Sequence, residues 1–252
     1  MANILGIVVK RLEKLLTKDG WLETLVAKHS KVGDSIFFEE EQFPWAKDLE
    51  ANWMVIRKEL EQVLERVDEL PNFQDISKRQ YRIANDNRWK TYFFYAFGFK
   101  ATKNCQRCPE TTKLLSKIPG MKVAFFSILA PGKHIPKHRG KLKTLIRYHL
   151  GLIVPEPKEK CKIQIADEVR YWEEGKSLIF DDTFYHEVWN DTDGYRVVLF
   201  LDIARPLRFP LSFISFLANK LITASPIVQD AKASYKAWEN KFEADTKSKE
   251  LV

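Results

Sequence analysis

The sequence has 252 residues and a formal net charge of +7, and 45% of its residues are hydrophobic. A chain of this length and composition can bury a sizeable core, and it fits one large domain. Its basicity favours an acidic partner, such as an anionic membrane surface or a nucleic acid. The lysines and arginines are scattered and accompany no nucleic-acid-binding motif, so the sequence does not favour nucleic acid.

The three cysteines argue against a disulfide framework, because their number is odd and small for this length. Cys105 and Cys108 have the spacing of a zinc knuckle, but no second pair completes the tetrahedron, and we read them as incidental loop cysteines. Residues 1–16 lack the apolar core and cleavage site of a signal peptide, and no run reaches the ~18 apolar residues of a spanning helix. We therefore expect a reducing, cytoplasmic compartment.

Helical periodicity marks both ends of the chain. Residues 3–17 place apolar side chains on one face and basic ones opposite, which predicts an amphipathic helix. Residues 47–67 predict a second helix, and 108–118 a short third helix with proline near its start. After the strand region the spacing predicts an apolar helix from residue 211 and a charged one over 229–250.

Between residues 121 and 206 the pattern changes to six β-rich runs separated by turns. Their roughly ten-residue spacing indicates an antiparallel sandwich or barrel. We predict a mainly β core with flanking helices in one domain overall. Its parts are an N-terminal helical segment over 1–80 that packs on the core, the β core over 81–206, and C-terminal helices over 207–252.

Four polar residues lie inside the apolar strand runs. Arg147 and His149 are two positions apart, so both face the same side of their strand. Ser127 lies within FFSIL, and Arg196 begins the run RVVLFLD. A buried arginine needs an anion, and a neighbouring histidine can donate to the same anion. Two arginines, a serine and a histidine that face one cavity would suit a dicarboxylate.

His138 and His186 lie just before two of the strand runs. Histidines at strand ends, far apart in sequence, can form an open metal site in a β-barrel. Open iron sites commonly add a carboxylate two residues after the first histidine, yet position 140 is glycine. Spacing alone leaves two alternatives open. The histidines could be turn residues on the surface, or one of three nearby acids, Asp181, Asp182 or Glu187, could also be a metal ligand.

The motifs HRG, RYHLGLIVP and WEEGKSLIFDDTFYHEVWND, together with Arg196, resemble the aspartyl/asparaginyl β-hydroxylase family. These are iron(II)- and 2-oxoglutarate-dependent dioxygenases on a double-stranded β-helix, a jelly-roll or cupin-like fold. Their iron is held by two histidines without the acid, which Gly140 matches. The resemblance implies that His138 and His186 bind iron and carry the catalysis with dioxygen. It also implies 2-oxoglutarate contacts from Arg147 and His149 to the C1 carboxylate and from Ser127 and Arg196 to the C5 carboxylate.

The outer motifs NWMVIRKEL, NRWKTYFF, CPETTKLLSKIPG and DIARPLRF resemble bacterial members that hydroxylate lipid acyl chains, such as lipid A and ornithine-lipid hydroxylases. The lipid A branch has HRD where this chain has HRG. We expect a hydroxylase whose substrate leans to a membrane-lipid acyl chain. Two alternatives stay open: β-hydroxylation of aspartyl or asparaginyl side chains, in a peptide or as the free amino acid, and a non-catalytic cupin-like binding module. The sequence does not indicate the oligomeric state.

An apolar stripe runs along the helix predicted from residue 211. Phe213, Ile214, Leu217, Leu221 and Ile222 recur at helical spacing, and Ser215, Asn219 and Lys220 lie off the stripe. Most amphipathic helices bury their stripe in their own protein, so we expect this helix to pack on the barrel. The alternative is peripheral contact with the cytoplasmic face of an anionic membrane, favoured by three flanking cations, Arg205, Arg208 and Lys220.

Overall fold

The computed structural model describes residues 20–250, apart from the side chains of 227 and 245–250. The amphipathic helix predicted over 3–17 lies outside the described residues. The α-helices are α1 (Trp21–His29), α2 (Trp45–Ala51), α3 (Trp53–Leu64), α4 (Phe73–Ile76), α5 (Thr102–Arg107), α6 (Pro109–Leu115), α7 (Leu211–Thr223) and α8 (Pro226–Glu250). Short 3-10 helices cover Glu40–Gln42, Val67–Glu69, Lys78–Arg82 and Lys158–Lys160.

The strands form two antiparallel sheets. They are β1 (Phe37–Phe38), β2 (Trp89–Ala96), β3 (Phe99–Lys100), β4 (Met121–Leu129), β5 (Lys133–His138), β6 (Leu145–Ile153), β7 (Cys161–Ile165), β8 (Glu168–Tyr171), β9 (Ser177–Phe180), β10 (His186–Asn190) and β11 (Arg196–Ala204). The seven-stranded sheet has the order β1-β9-β6-β11-β4-β2-β3, and the four-stranded sheet has the order β5-β10-β7-β8. This is the predicted double-stranded β-helix with flanking helices.

The large sheet has two faces of different character. On β6, Tyr148 and Leu150 belong to the hydrophobic cluster that includes Ile56 and Leu60 of α3, so this outer face is covered by helices. The inner face packs towards the small sheet in a second cluster of aromatic and branched side chains. Because side chains alternate along a strand, Arg147 and His149 both lie on the inner face, as predicted.

Strand β5 carries His138 and was not predicted. The segment KHIPKH contains a proline and few apolar residues, so it lacks the alternation that marks the other strands. In the structure Lys133 and Ile135 are buried and Pro136 is exposed. β5 is an edge strand of the small sheet, where a proline without an amide proton removes no ladder bond.

Two further expectations were too coarse. The helix predicted over 47–67 is two helices, because Asn52 adopts a non-helical conformation between α2 and α3. Cys105 and Cys108 are buried free thiols in the helical region of α5 and α6, and neither lies in a loop on the surface. Burial raises the pKa of Cys108 to about 12, and the carboxylate of Glu59 acts in the same direction, so this thiol stays protonated at neutral pH.

Helix α7 contradicts the expected packing. Its buried residues are Leu211, Ser215 and Asn219, two of which are polar. The apolar stripe points outwards instead: Phe213 is 57% exposed, Ile214 53%, Leu217 45% and Leu221 48%. Arg205, which we grouped with the surface cations, is buried in an ion pair with Asp181.

Over residues 20–250, no single helix has the length and apolarity needed to cross a bilayer. One pair, Leu211–Thr223 with Val228–Ala244, passes that test by length and composition only when its two bent halves are taken together.

Candidate active site

His138 and His186 lie side by side on neighbouring strands of the small sheet. They are direct partners in the β5–β10 register, and their ring centroids are 4.2 Å apart. Each ring donates from Nδ1 to the carbonyl two residues earlier, His138 to Pro136 at 2.8 Å and His186 to Phe184 at 2.9 Å. With the proton on Nδ1, each Nε2 carries a free lone pair, which is how outer hydrogen bonds prepare metal-binding histidines.

Both rings are neutral at neutral pH. Burial, followed by the nearby imidazole of His186, lowers the pKa of His138 to about 3. Burial, followed by the Arg147 guanidinium, lowers the pKa of His186 to about 4. Neutral imidazoles with free lone pairs are the form that ligates a divalent metal. Within the described part of the chain, no group of three or more His, Cys, Asp or Glu residues forms a metal site, so this pair would supply two ligands.

Glycine at position 140 leaves room for the side chain of Asp182. A Cβ at Gly140 would lie 2.2 Å from Oδ2 of Asp182, a residue that is almost fully buried. The Gly140 amide also donates to the Asp182 carbonyl at 2.7 Å, which fixes the two segments together. Arg147 holds the Asp182 carboxylate through Nη2 at 2.9 Å. The space that an acidic side chain at position 140 would need is therefore filled by the carboxylate of Asp182.

The other two acids considered as ligands are engaged elsewhere. Asp181 is fully buried and pairs with Arg205 and with Lys143, the latter at 2.9 Å. Glu187 pairs with His134 Nε2 at 2.6 Å. His134 is exposed on β5. Neither acid joins the histidine pair.

Arg196 is a buried cation that lacks a carboxylate partner within residues 20–250. Its side chain is nearly inaccessible, and its Nε and Nη1 atoms make no hydrogen bond. The guanidinium lies 4.5 Å from the ring centroid of Trp172. Burial lowers its pKa to about 10, so the charge persists at neutral pH. An unpaired buried charge is costly, and an anionic ligand would remove that cost.

His149 presents a second unused donor. The indole Nε1–H of Trp172 donates to His149 Nδ1 at 3.2 Å, which places the imidazole proton on Nε2. That Nε2 is buried and has no partner. Burial, and then the charges of Arg196 and Arg147, lower the pKa of His149 well below its ordinary value, so the ring is a neutral N–H donor. Trp172 thus supports both His149 and Arg196.

Ser127, on β4, lies on the same inner face of the large sheet as Arg196. It is paired in register with Val198, two positions along β11 from Arg196, so the two side chains share the inner face. Trp89 donates from Nε1 to the Ser127 Oγ at 3.1 Å, which leaves the serine proton free to donate to a ligand. Sequence reasoning missed Trp89 and Trp172 because only the packing of segments distant in the sequence brings their indoles to these partners.

Arg147 differs from Arg196 because the protein already neutralises it. Its Nε lies 3.0 Å from Asp202 Oδ1, and its Nη2 contacts Asp182. Burial opposes its charge, but the two carboxylates outweigh that effect and raise the pKa of Arg147 above its ordinary value. A ligand carboxylate at Arg147 would share the guanidinium with two aspartates, whereas one at Arg196 would meet an unpaired charge.

Comparison with known proteins gives the family. Residues 50–206 match the family model described as aspartyl/asparaginyl beta-hydroxylase. The chain belongs to this family. It is 45% identical over 228 residues to the ornithine lipid ester-linked acyl 2-hydroxylase of Rhizobium tropici, a match that covers 90% of this chain and 81% of that protein.

Two further comparisons are more distant. The chain is 37% identical over 169 residues to the human aspartyl/asparaginyl beta-hydroxylase, covering 65% of this chain and 21% of the human protein. Among solved structures, a Pseudomonas putida prolyl-4-hydroxylase aligns with a TM-score of 0.39 and 13% identity, over 61% of this chain and 87% of that one.

The histidine pair can be tested by metal binding alone. We expect His138→Ala and His186→Ala each to weaken Mn(II) or Co(II) binding by more than about a hundredfold, which exceeds the loss caused by removing an outer hydrogen-bond partner. Isothermal titration calorimetry measures this without turnover. His134→Ala is the matched control, because His134 is exposed on the same strand. Retention of wild-type affinity in either ligand variant would refute the assignment.

Proposed function

We propose that this protein is an iron(II)- and 2-oxoglutarate-dependent hydroxylase that acts on an acyl chain of a membrane lipid. The observation that carries the proposal is the buried guanidinium of Arg196, which lacks a carboxylate partner in the described chain and contacts the same Trp172 ring as the neutral donor His149. A ligand with carboxylates at both ends would satisfy these donors, and the histidine pair has the lone pairs that a divalent metal needs.

Each residue would have a separate task. His138 and His186 would hold the iron through Nε2. Arg196 and Ser127 would bind the C5 carboxylate of 2-oxoglutarate. His149, through its Nε2–H, and Arg147 would contact the C1 carboxylate. When bound, iron with 2-oxoglutarate and dioxygen supplies the oxidation of an unactivated C–H bond, with succinate and carbon dioxide as the co-products.

The inner face keeps these groups ordered and dry. The His149 ring lies 5.1 Å from Phe180 in an edge-on arrangement and 5.0 Å from Phe200. The Arg147 guanidinium stacks over the Phe200 ring at 4.4 Å. Aromatic walls restrict the rotation of the polar side chains and exclude water, which strengthens their charge-assisted bonds to a carboxylate.

Two observations favour a lipid over a peptide. The relative at 45% identity is named for hydroxylating the ester-linked acyl chain of an ornithine lipid, and its match extends over 90% of this chain. The match to the human aspartyl/asparaginyl enzyme covers 65%. Hydroxylation of an aspartyl or asparaginyl side chain is the second candidate. The family match over residues 50–206 supports it as well as it supports the acyl-chain proposal.

Mass spectrometry of lipids tests the substrate. Purified protein with Fe(II), 2-oxoglutarate and detergent-dispersed ornithine lipid should add one oxygen to an acyl chain and release succinate in equal amount. His186→Ala is the inactive control. A panel of peptides that contain aspartate or asparagine runs in parallel. If the peptides gain oxygen and the lipids do not, the acyl-chain proposal is wrong and the second candidate replaces it.

Trp172→Phe tests the co-substrate site. The change removes the N–H that fixes the His149 tautomer but keeps an aromatic ring beside Arg196. We expect the KM for 2-oxoglutarate to rise about tenfold, the effect of one lost hydrogen bond, while kcat at saturation and metal affinity change little. Trp189→Phe, on the small sheet beside His134, is the matched control. A purely structural role would instead lower the melting temperature and leave the KM unchanged.

A further inference from the structure

Helix α7 packs with its polar side inwards. Ser215 and Asn219 lie on its buried side, where the Asn219 amide donates to the Ser215 hydroxyl at 3.5 Å. The opposite side exposes large apolar side chains, which continue into the preceding loop where Phe209 is 80% exposed. We define this outward surface as the α7 face: Phe209, Phe213, Ile214, Phe216, Leu217 and Leu221. A surface helix of a water-soluble protein usually buries its apolar side and exposes its polar side, and α7 does the reverse. An exposed apolar surface of this kind is typical of a binding site for an apolar partner.

Contacts through α1 connect the α7 face to the candidate active site. Val26 of α1 packs in one small cluster with Leu207 and Leu211, at the start of α7. One helical turn earlier, Glu23 of α1 pairs with Arg139, the residue that follows His138. The start of α7 is therefore about one turn of α1 away from the segment that carries His138. The first residues of α7 and the segment that carries His138 are therefore neighbours through α1.

The surface around these two segments is also basic. Besides Arg139, which pairs with Glu23, exposed cations occur near the α7 face and around His138: Lys28, Arg208, Lys220, Lys137 and Lys141. The Lys220 ammonium lies 4.8 Å from the Phe216 ring centroid, so an apolar group and a charge stand together on the surface. Apolar side chains that enter the acyl boundary, with cations beside them at the phosphates, are the two features by which a surface helix binds anionic lipid.

We propose that the α7 face docks this protein on an anionic lipid surface, with the histidine pair turned towards that surface. The orientation rests on the proposed lipid hydroxylation, because a site that acts on an acyl chain must face the bilayer. A second copy of this chain is a poorer occupant, because an isologous contact through the α7 face would bring the Arg208 and Lys220 cations of both copies together. A lipid phosphate surface neutralises these charges.

Vesicle flotation of the full-length protein, without iron or 2-oxoglutarate, tests the docking apart from the chemistry. Wild type should float with vesicles of phosphatidylcholine and phosphatidylglycerol at low salt. The double variant Phe213→Asp/Leu217→Asp should lose about tenfold or more in the bound fraction, because charges would enter the apolar boundary. The matched control is Met54→Asp/Val55→Asp, which adds the same charge to exposed apolar positions on α3 and should float like wild type.

A labelling experiment covers the case in which the aspartate variants fold poorly. The native cysteines at 105, 108 and 161 are buried, so an environment-sensitive fluorophore will react at an introduced Phe213→Cys or Met54→Cys. Anionic vesicles should shift the emission of the label at 213 to the blue and leave the label at 54 unchanged.

The outcomes separate the two proposals. If wild type does not float at low salt and the label at 213 does not shift, the docking proposal is wrong, even if detergent-dispersed lipid is hydroxylated. If wild type sediments as a dimer that Phe213→Asp/Leu217→Asp dissociates, and vesicles do not bind it, the occupant is a second copy and the proposal again fails. If wild type floats but hydroxylates no lipid, docking stands and the proposed substrate falls.

Discussion

The site depends on the buried positive charge of Arg196, which has no carboxylate partner among residues 20–250. Arg196 is held on β11 against the ring of Trp172, and two of its nitrogen atoms make no hydrogen bond. Folding stabilises paired charges and penalises unpaired ones, so this arrangement costs stability in the empty protein. An anion that binds at Arg196 would remove this destabilisation. The same electrostatic attraction makes binding selective for a ligand that presents a carboxylate to Arg196.

Around that charge, the fold sets the protonation of every neighbouring donor in advance. Backbone carbonyls of Pro136 and Phe184 hold the protons of the two ligand histidines on Nδ1. The Trp172 indole donates to Nδ1 of His149 and thereby places the proton of that ring on Nε2. The two arginines are likewise divided, since Arg147 is neutralised by aspartates and Arg196 is not. Within the described residues, the inner faces of the two sheets therefore present metal-binding lone pairs, a neutral donor and a guanidinium without a carboxylate partner.

The periodicity of apolar residues in the sequence predicted which side chains share one face of a strand or helix. The alternation in LIRYHLG places Arg147 and His149 on one face, and the structure agrees. Sequence reasoning missed features that depend on distant contacts. Strand β5 tolerates Pro136 because it is an edge strand of its sheet in the described structure, and the carboxylate that lies against Gly140 belongs to Asp182, more than forty positions along the chain. Periodicity also located the apolar stripe of α7, but it did not show whether the stripe faces the core or the solvent. The spacing of apolar residues identifies one side of a helix and not the partner that covers it.

The substitution Arg196→Met measures the central constraint most directly, because it replaces the buried charge with an apolar side chain of similar length. Melting temperature is recorded with Mn(II), with and without 2-oxoglutarate. We expect the variant to melt above wild type in the absence of 2-oxoglutarate, since an unpaired charge is gone, and we expect 2-oxoglutarate no longer to raise its melting temperature. A variant that is less stable than wild type when empty, yet still gains the full stabilisation from 2-oxoglutarate, would contradict it.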